Sequence, residues 1–374
     1  MHAERSAGAP IAADRDAAPA PIALARRHAA LGAIPRVAFT DLPTPVAALP
    51  LEGAPEGALF VKRDDLTSRV YGGNKPRKLE FVLAAARARG ARRLVTTGGI
   101  GTHHGLATAI FGRRLDMATT IVVVPQPVTP HVREQVRLLR AFGAELLPAR
   151  GLPAAAAQVI RAFAVATLRG ERPFWVPTGG SSALGDIGYV SAAFELAEQI
   201  EAGDLPEPAE IYVPLGSGGT LSGLVLGARL AGLRARIVGV LVTDILPPSA
   251  ARLARLANAT LAVLRRRDPS LPAAPITAAE FTIERSQLGA GYGAPTPAAE
   301  RATALARDAG LTLETTYTAK SLAAVIERLR RGAASGPILF WNTYSSAHPL
   351  AAAPAAAPAP LPHAIERWLA EGAT

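Results

Sequence analysis

From Ala58 onward the sequence repeats one pattern: a short apolar run, a turn cluster, then a longer stretch with apolar residues at helical spacing. A strand that reaches its next neighbour through a helix runs parallel to it, so this alternation predicts an α/β fold of helix-covered parallel sheets. The runs expected as strands are 59–62, 93–97, 119–124, 144–147, 210–214, 237–242 and 337–341, and the expected helices include 76–89, 102–114, 131–142, 153–168, 184–201, 220–231 and 297–309. With 374 residues, 49% of them hydrophobic, the chain is long enough for two such units. No internal repeat of fixed period is visible, which argues against a solenoid.

Both ends break the pattern. Residues 1–35 are rich in Ala, Pro and Arg, are interrupted by Glu4, Asp14 and Asp16, and lack the continuous apolar core of a secretion signal; they read as a flexible N-terminal extension. Residues 347–374 read as an Ala/Pro tether leading to a short terminal helix near 365–369. Two uncharged stretches reach membrane-spanning length, 211–228 and 347–365, but five glycines interrupt the first and five prolines the second. No membrane partner is expected. Cysteine is absent, which excludes a disulfide framework and thiolate chemistry and fits a cytoplasmic location.

The 40 basic residues exceed the 30 acidic ones, giving a net charge of +10. That balance invites a nucleic-acid reading, but the basic residues are spread along helical stretches (Arg133, Arg137, Arg140), and the longest dense run is Arg265, Arg266 and Arg267. No nucleic-acid partner is expected. Only four basic residues are lysines: Lys62, Lys75, Lys78 and Lys320. A solvated surface position is the ordinary expectation for Lys62, Lys78 and Lys320.

Two segments carry chemistry. In the first, Val213-Pro-Leu-Gly-Ser-Gly-Gly-Thr-Leu-Ser-Gly223, a strand pattern runs through glycines into a helix. Gly216, Gly218 and Gly219 permit close backbone approach, and the positive end of the following helix favours an anion such as a phosphate. The spacing matches neither a nucleoside-triphosphate loop nor the dinucleotide fingerprint, and a plain strand-to-helix turn would use the same glycines. The second segment, Tyr71-Gly-Gly-Asn-Lys-Pro-Arg-Lys-Leu-Glu80, sets Lys75 at a helix start with Asn74 as the expected cap and Pro76 in the first turn. The helix dipole there lowers an amine pKa, which suits a nucleophile. A phosphate cradle together with an activated lysine points to pyridoxal 5'-phosphate, whose aldehyde forms an imine with lysine. No metal site is expected.

At these residues the chain resembles the fold-type-II pyridoxal-phosphate enzymes, in the branch containing D-cysteine desulfhydrase and 1-aminocyclopropane-1-carboxylate (ACC) deaminase. Matching blocks occur in order between Phe39 and Ser346: Val61-Lys-Arg-Asp-Asp-Leu66, Gly72-Gly-Asn-Lys-Pro-Arg-Lys-Leu79, Pro177-Thr-Gly-Gly-Ser-Ser-Ala-Leu184, the glycine loop, Gly291-Tyr-Gly293, Tyr317-Thr-Ala-Lys320 and Ile338-Leu-Phe340. The resemblance implies a tryptophan synthase beta-like pair of open twisted parallel-sheet domains with the cofactor in the cleft. It implies a large domain from 36–73 and 184–346, a small domain over 74–183, and a homodimer. It also implies imine formation by Lys75 and cofactor contacts from Asn74, Gly216, Ser217, Gly218, Gly219 and Thr220. Tyr292 and Tyr317 are expected against cofactor and substrate; half-buried packing is the alternative for both.

Three departures bear on the reaction. The deaminase has a glutamate directly after the second tyrosine, where this chain has Thr318, and the desulfhydrase-like threonine facing the pyridine nitrogen corresponds to Thr343. Where the named enzymes carry Gln-Ser-Asn, this chain has Gly101-Thr-His-His104. Thr102 can replace the serine hydroxyl, and His103 either handles a proton or packs at a helix start. Tyr344 follows Thr343 where the desulfhydrase-like pattern has glycine, and is expected to reshape the cofactor edge.

The leading functional expectation is a lyase acting on a small amino acid, with D-cysteine desulfhydrase-like elimination to a keto acid and ammonia. Lys75, assisted by Thr102 or His103, would remove the α-proton. Ring-opening deamination, β-replacement and racemisation are the rivals on the same cofactor. A cofactor-binding protein without turnover is the rival from another class.

Overall fold

A computed structural model describes residues 20–332, 335–349, 353 and 360–372. Its strands are β1 Val46–Ala48, β2 Leu59–Lys62, β3 Arg93–Gly99, β4 Ala118–Val124, β5 Glu145–Pro148, β6 Pro173–Trp175, β7 Glu210–Leu215, β8 Arg236–Leu241, β9 Thr282–Glu284 and β10 Ile338–Trp341. They form a six-stranded sheet in the order β1-β2-β10-β7-β8-β9 and a four-stranded sheet in the order β5-β4-β3-β6. All pairs are parallel except β1 with β2. Every residue of β7 and of β10 is buried, as continuous apolar strands covered on both faces must be.

The helices are α1 Ala23–Arg27, α2 Asn74–Ala88, α3 His103–Arg113, α4 Pro130–Ala141, α5 Gly151–Leu168, α6 Ile187–Glu201, α7 Gly219–Ala231, α8 Ala250–Arg265, α9 Pro297–Asp308, α10 Thr318–Arg330 and α11 His363–Glu371. One core joins the large sheet to α6, α7 and α8 through Val190, Val213 and Leu224. A second lies against α9 and α10 through Ala302, Leu322 and Phe340. The third belongs to the four-stranded sheet and includes Leu83, Ile110, Val123 and Val136.

The seven expected strands are all present. β1, β6 and β9 have three residues each, too few to show a period in sequence. The expected loose extension is corrected from residue 20 onward. Ala23, Leu24 and Leu31 are buried, and the Leu24 N–H donates to Ser191 Oγ at 3.3 Å, so α1 and the turn after it cover α6. Residues 1–19 of that extension lie outside the described residues. The terminal helix is present as α11, with Ile365 and Trp368 buried in the core of the four-stranded sheet. Most of the Ala/Pro segment before it lies outside the described residues.

Of the two membrane-length stretches, 211–228 is the buried β7–α7 unit. Helix α5 is long and apolar enough to cross a membrane by length and composition. It packs on the four-stranded sheet, with Ala162 and Ala166 buried and Leu152, Ile160 and Leu168 exposed.

Candidate active site

Parallel sheets gather loops at the carboxyl ends of their strands, where ligands of such folds bind. Here β3 ends in the segment before α3, β7 in the glycine loop before α7, and β10 in Asn342-Thr343-Tyr344. These segments and the start of α2 enclose a cavity of about 650 Å³.

A buried polar network fixes the start of α2. The Arg77 guanidinium donates to Asp64 Oδ1 at 2.7 Å and Oδ2 at 3.0 Å, and to Glu195 Oε1 at 2.9 Å and Oε2 at 3.0 Å. Lys62 Nζ donates to Glu195 Oε1 at 2.6 Å and to the Thr44 carbonyl at 2.7 Å, and Tyr189 OH donates to Asp64 Oδ2 at 2.7 Å. Arg77, Lys62, Asp64 and Glu195 are at most 3% exposed, so the network ties α2, α6 and β2 together two residues from Lys75. The surface expectation for three lysines is therefore overturned: Lys62, Lys78 and Lys320 are all buried. Lys320 Nζ donates to the carbonyls of Leu288 at 2.7 Å and Gly291 at 3.2 Å. A compact ammonium suits such closed, multiply accepting sites better than a broad guanidinium fork, which accounts for where this arginine-rich chain retains lysine.

Lys75 sits in the first turn of α2 and lines the cavity. Asn74 does not cap the helix as expected. Gly73 takes that position at φ 85°, and a Cβ there would stand 2.5 Å from the Thr343 carbonyl oxygen, so the tight turn requires glycine. Asn74 instead accepts from Lys75 Nζ at 2.6 Å through Oδ1, while its Nδ2 donates to Thr220 Oγ1 at 3.0 Å. It thus links the amine to the glycine loop. Burial first, then the neighbouring Lys78 ammonium, push the Lys75 amine well below the ordinary lysine range against the pull of Glu314.

Gly216, Ser217, Gly218 and Thr220 line the cavity. Gly219 lies behind its wall, with its N–H donating to Ser181 Oγ at 3.0 Å, so this loop amide is not free as the sequence suggested. A Cβ at Gly219 would stand 2.3 Å from Asp186 Oδ1 and 2.5 Å from Ser181 Oγ. Ser181 and Ser217 hydroxyls are 2.7 Å apart. Lys78, expected from sequence at the surface, lines the cavity beside Gly180; burial pushes its amine down to about 8 against the attraction of Asp186. The buried Asp186 Oδ2 has no hydrogen-bond partner.

Thr102 is the N-cap of α3, its Oγ1 accepting from the Gly105 N–H at 3.1 Å while the side chain lines the cavity. His103 lines the cavity too, with Nδ1 2.6 Å from Tyr71 OH and Nε2 2.9 Å from Nε2 of His131. Burial, then His131 and Lys75, push His103 well below the ordinary histidine range. His104 also lines the cavity; it is 4% exposed with Nε2 2.9 Å from Thr96 Oγ1. His131 carries no family signal in sequence, and only the fold brings it to His103.

Tyr292 and Tyr317 line the cavity with hydroxyls 2.7 Å apart, and burial raises both pKa values. Thr343 lines it as well, and Tyr344 stands edge-on to His103 with ring centroids 5.4 Å apart. Thr318 is buried with Oγ1 3.3 Å from Glu314 Oε1. Glu314 lines the cavity and accepts from the N–H groups of Thr316, Tyr317 and Thr318 at 2.8 to 2.9 Å, which makes it the carboxylate at the amino end of α10. Sequence comparison with the deaminase pattern, four residues away, did not reveal it.

The family model for pyridoxal-phosphate dependent enzymes matches residues 37–343. The chain belongs to that family. Among known proteins of the pyridoxal-phosphate dependent enzyme family, it is 35% identical over 323 residues to nocardicin C-9' epimerase of Nocardia uniformis subsp. tsuyamanensis, covering 84% of this chain and 94% of the relative. A solved ACC deaminase homologue superposes with a TM-score of 0.71 at 26% identity, covering 87% of this chain and 95% of that one. A fungal L-serine ammonia-lyase from Rhizomucor miehei shares the fold at a TM-score of 0.50 and 19% identity, covering 81% and 95%. The architecture is that of the fold-type-II enzymes, and the family's cofactor is pyridoxal phosphate.

The residues present fit that cofactor. A buried amine with a lowered pKa opens into a cavity of about 650 Å³ whose wall includes Gly216, Ser217, Gly218 and Thr220 at the amino end of α7, where the Gly219 N–H is already bonded to Ser181 Oγ. The site of a Cβ at Gly219 is already filled by Asp186 and Ser181, so the loop backbone is held close against them.

Proposed function

We propose that the chain moves the α-proton of a small amino acid held through pyridoxal phosphate, and that the net reaction inverts configuration at that carbon. When bound, the cofactor supplies an aldehyde that takes the substrate amine and a ring that accepts electron density from the α-carbon. Lys75, favoured in its neutral form by burial, would hold the cofactor through its amine and would serve as the base that takes the α-proton at Nζ. Asn74 orients the Lys75 amine. Lys78, Ser217, Thr220 and the amino end of α7 would hold the phosphate, and Thr343 would offer a hydroxyl to the pyridine ring. Thr102 and the amino end of α3 orient the substrate carboxylate, while Tyr292 and Tyr317 wall the reacting face.

The observation carrying inversion is a second proton carrier: His103 shares the cavity with Lys75 and is hydrogen-bonded on both ring nitrogens. Inversion requires a proton to be returned to the α-carbon, and a chain of proton-carrying groups serves that need. The 35% identity to an enzyme named as an epimerase supports the same reading. A second reading, D-cysteine desulfhydrase-like elimination by a lyase, draws on the likeness to the ACC deaminase homologue and on the Thr343 hydroxyl at the cavity.

The proposal includes a small domain over residues 74–183, supported by the four-stranded sheet lying wholly within them, and a large domain from 36–73 and 184–346. It further includes a cytoplasmic homodimer.

The test is a panel of single-enantiomer amino acids given to cofactor-loaded protein in D2O, with light scattering on the same preparation. The expected outcome is the opposite enantiomer carrying α-deuterium, from a particle of twice the chain mass. Keto acid and ammonia without inversion would overturn the inversion reading in favour of elimination, and a monomer would overturn the dimer.

A further inference from the structure

Three side chains from three parts of the fold meet in a line. Tyr71 precedes α2, His103 opens α3 and His131 lies in the first turn of α4. Tyr71 OH is 2.6 Å from His103 Nδ1, and His103 Nε2 is 2.9 Å from His131 Nε2. Tyr71 and His103 line the cavity, whereas His131 lies outside its lining and is half-buried. We propose that Tyr71, His103 and His131 form a proton path between the active-site cavity and solvent, with His131 as its outer member. The inference rests on the reading that the enzyme breaks the α-carbon to hydrogen bond.

Burial pushes both imidazoles below the ordinary histidine range, so each is neutral at neutral pH and carries one N–H and one acceptor nitrogen. Lys75 faces His103 from α2, and Glu134 and Glu314 face His131 from α4 and from the turn before α10. Two arrangements of the line are possible. In one, Tyr71 O–H donates to His103 Nδ1, His103 Nε2–H donates to His131 Nε2, and His131 holds its proton on Nδ1. In the other, His103 Nδ1–H donates to Tyr71 oxygen and His131 Nε2–H donates to His103 Nε2.

From the second arrangement, a proton delivered into the cavity by Tyr71 is replaced from His103 Nδ1. His103 Nε2 then takes the proton of His131 Nε2, and His131 Nδ1 takes one from water. One proton enters from solvent, one leaves into the cavity, and all three groups end neutral in the first arrangement. Outward passage restores the second. The path thus lets the chain supply a solvent proton for return to the α-carbon independently of Lys75.

The test uses His131→Phe and, as the milder change, His131→Asn, on the full chain. In the protein without added cofactor, ring nitrogen chemical shifts of His103 are expected to move in both variants, as His103 loses its Nε2 partner. In the cofactor-loaded variants, α-deuterium incorporation from D2O is expected to fall by about 100-fold, the lower end of what a positioned proton carrier contributes, with the visible cofactor absorbance unchanged. Unchanged His103 shifts, or incorporation within about twofold of the wild type in a folded and loaded variant, would overturn the path. The two readings fail separately. If the wild type exchanged no α-proton with any amino acid, α-proton chemistry would fall while the nitrogen shifts would still report the line of contacts.

Discussion

Lys75 and Glu195 illustrate the two uses this chain makes of buried charge. At Lys75 the low dielectric and a neighbouring ammonium favour the uncharged amine, which is the reactive form. Burial alone would raise the Glu195 carboxyl. Arg77 and Lys62 outweigh it and hold the group well below the ordinary carboxylate range. A carboxyl whose folded-state pKa is depressed contributes stability that is complete above its unfolded value and is lost as the pH falls below that value toward the folded one. Glu195→Gln leaves two buried cations short of a partner, so it is expected to destabilise the protein by about 3–5 kcal/mol at pH 7. Urea midpoints should show that deficit shrinking as the pH falls below the ordinary carboxyl value of 4.5. The place of Lys75 at a helix start was legible in sequence because it depends on local context. The burial of Lys62 was not, since its partner Glu195 lies 133 residues away.

At the scale of elements, the glycine loop is a strand-to-helix turn on the wall of the cavity. Gly216 and Gly219 look alike in sequence, yet an added Cβ meets different neighbours. At Gly216 it would touch the edge of Tyr317 at 3.3 Å, whereas at Gly219 it would stand 2.3 Å from Asp186 Oδ1. Gly219→Ala is therefore expected to displace the loop and weaken cofactor affinity by about 100-fold, with Gly216→Ala milder, as read from cofactor absorbance against added pyridoxal phosphate. The docking of α11 is a second element-scale finding. Ile365 and Trp368 enter the core of the four-stranded sheet, and Arg150 lies over the Trp368 ring with its guanidinium carbon 5.5 Å from the centroid. The helix was legible from its own apolar spacing. Its docking place was not, because it depends on α4, α5 and the sheet meeting far from it in sequence.

At the scale of the molecule, two parallel sheets meet with the carboxyl ends of β3, β7 and β10 around one cavity. The alternation of apolar runs and helical stretches was sufficient to anticipate that architecture. The place of Glu314 in the lining and of His131 behind it became visible only when the chain was folded, since neither lies in a segment that carries chemistry in the sequence. The account as a whole depends on the lysine that joins the cofactor. With only four lysines in the chain, its identity can be read without ambiguity. Cofactor-loaded protein would be reduced with borohydride, digested, and its pyridoxyl-bearing peptide located by mass spectrometry. The account predicts the label on Lys75; a label on Lys62, Lys78 or Lys320, or on none of the four, would contradict it.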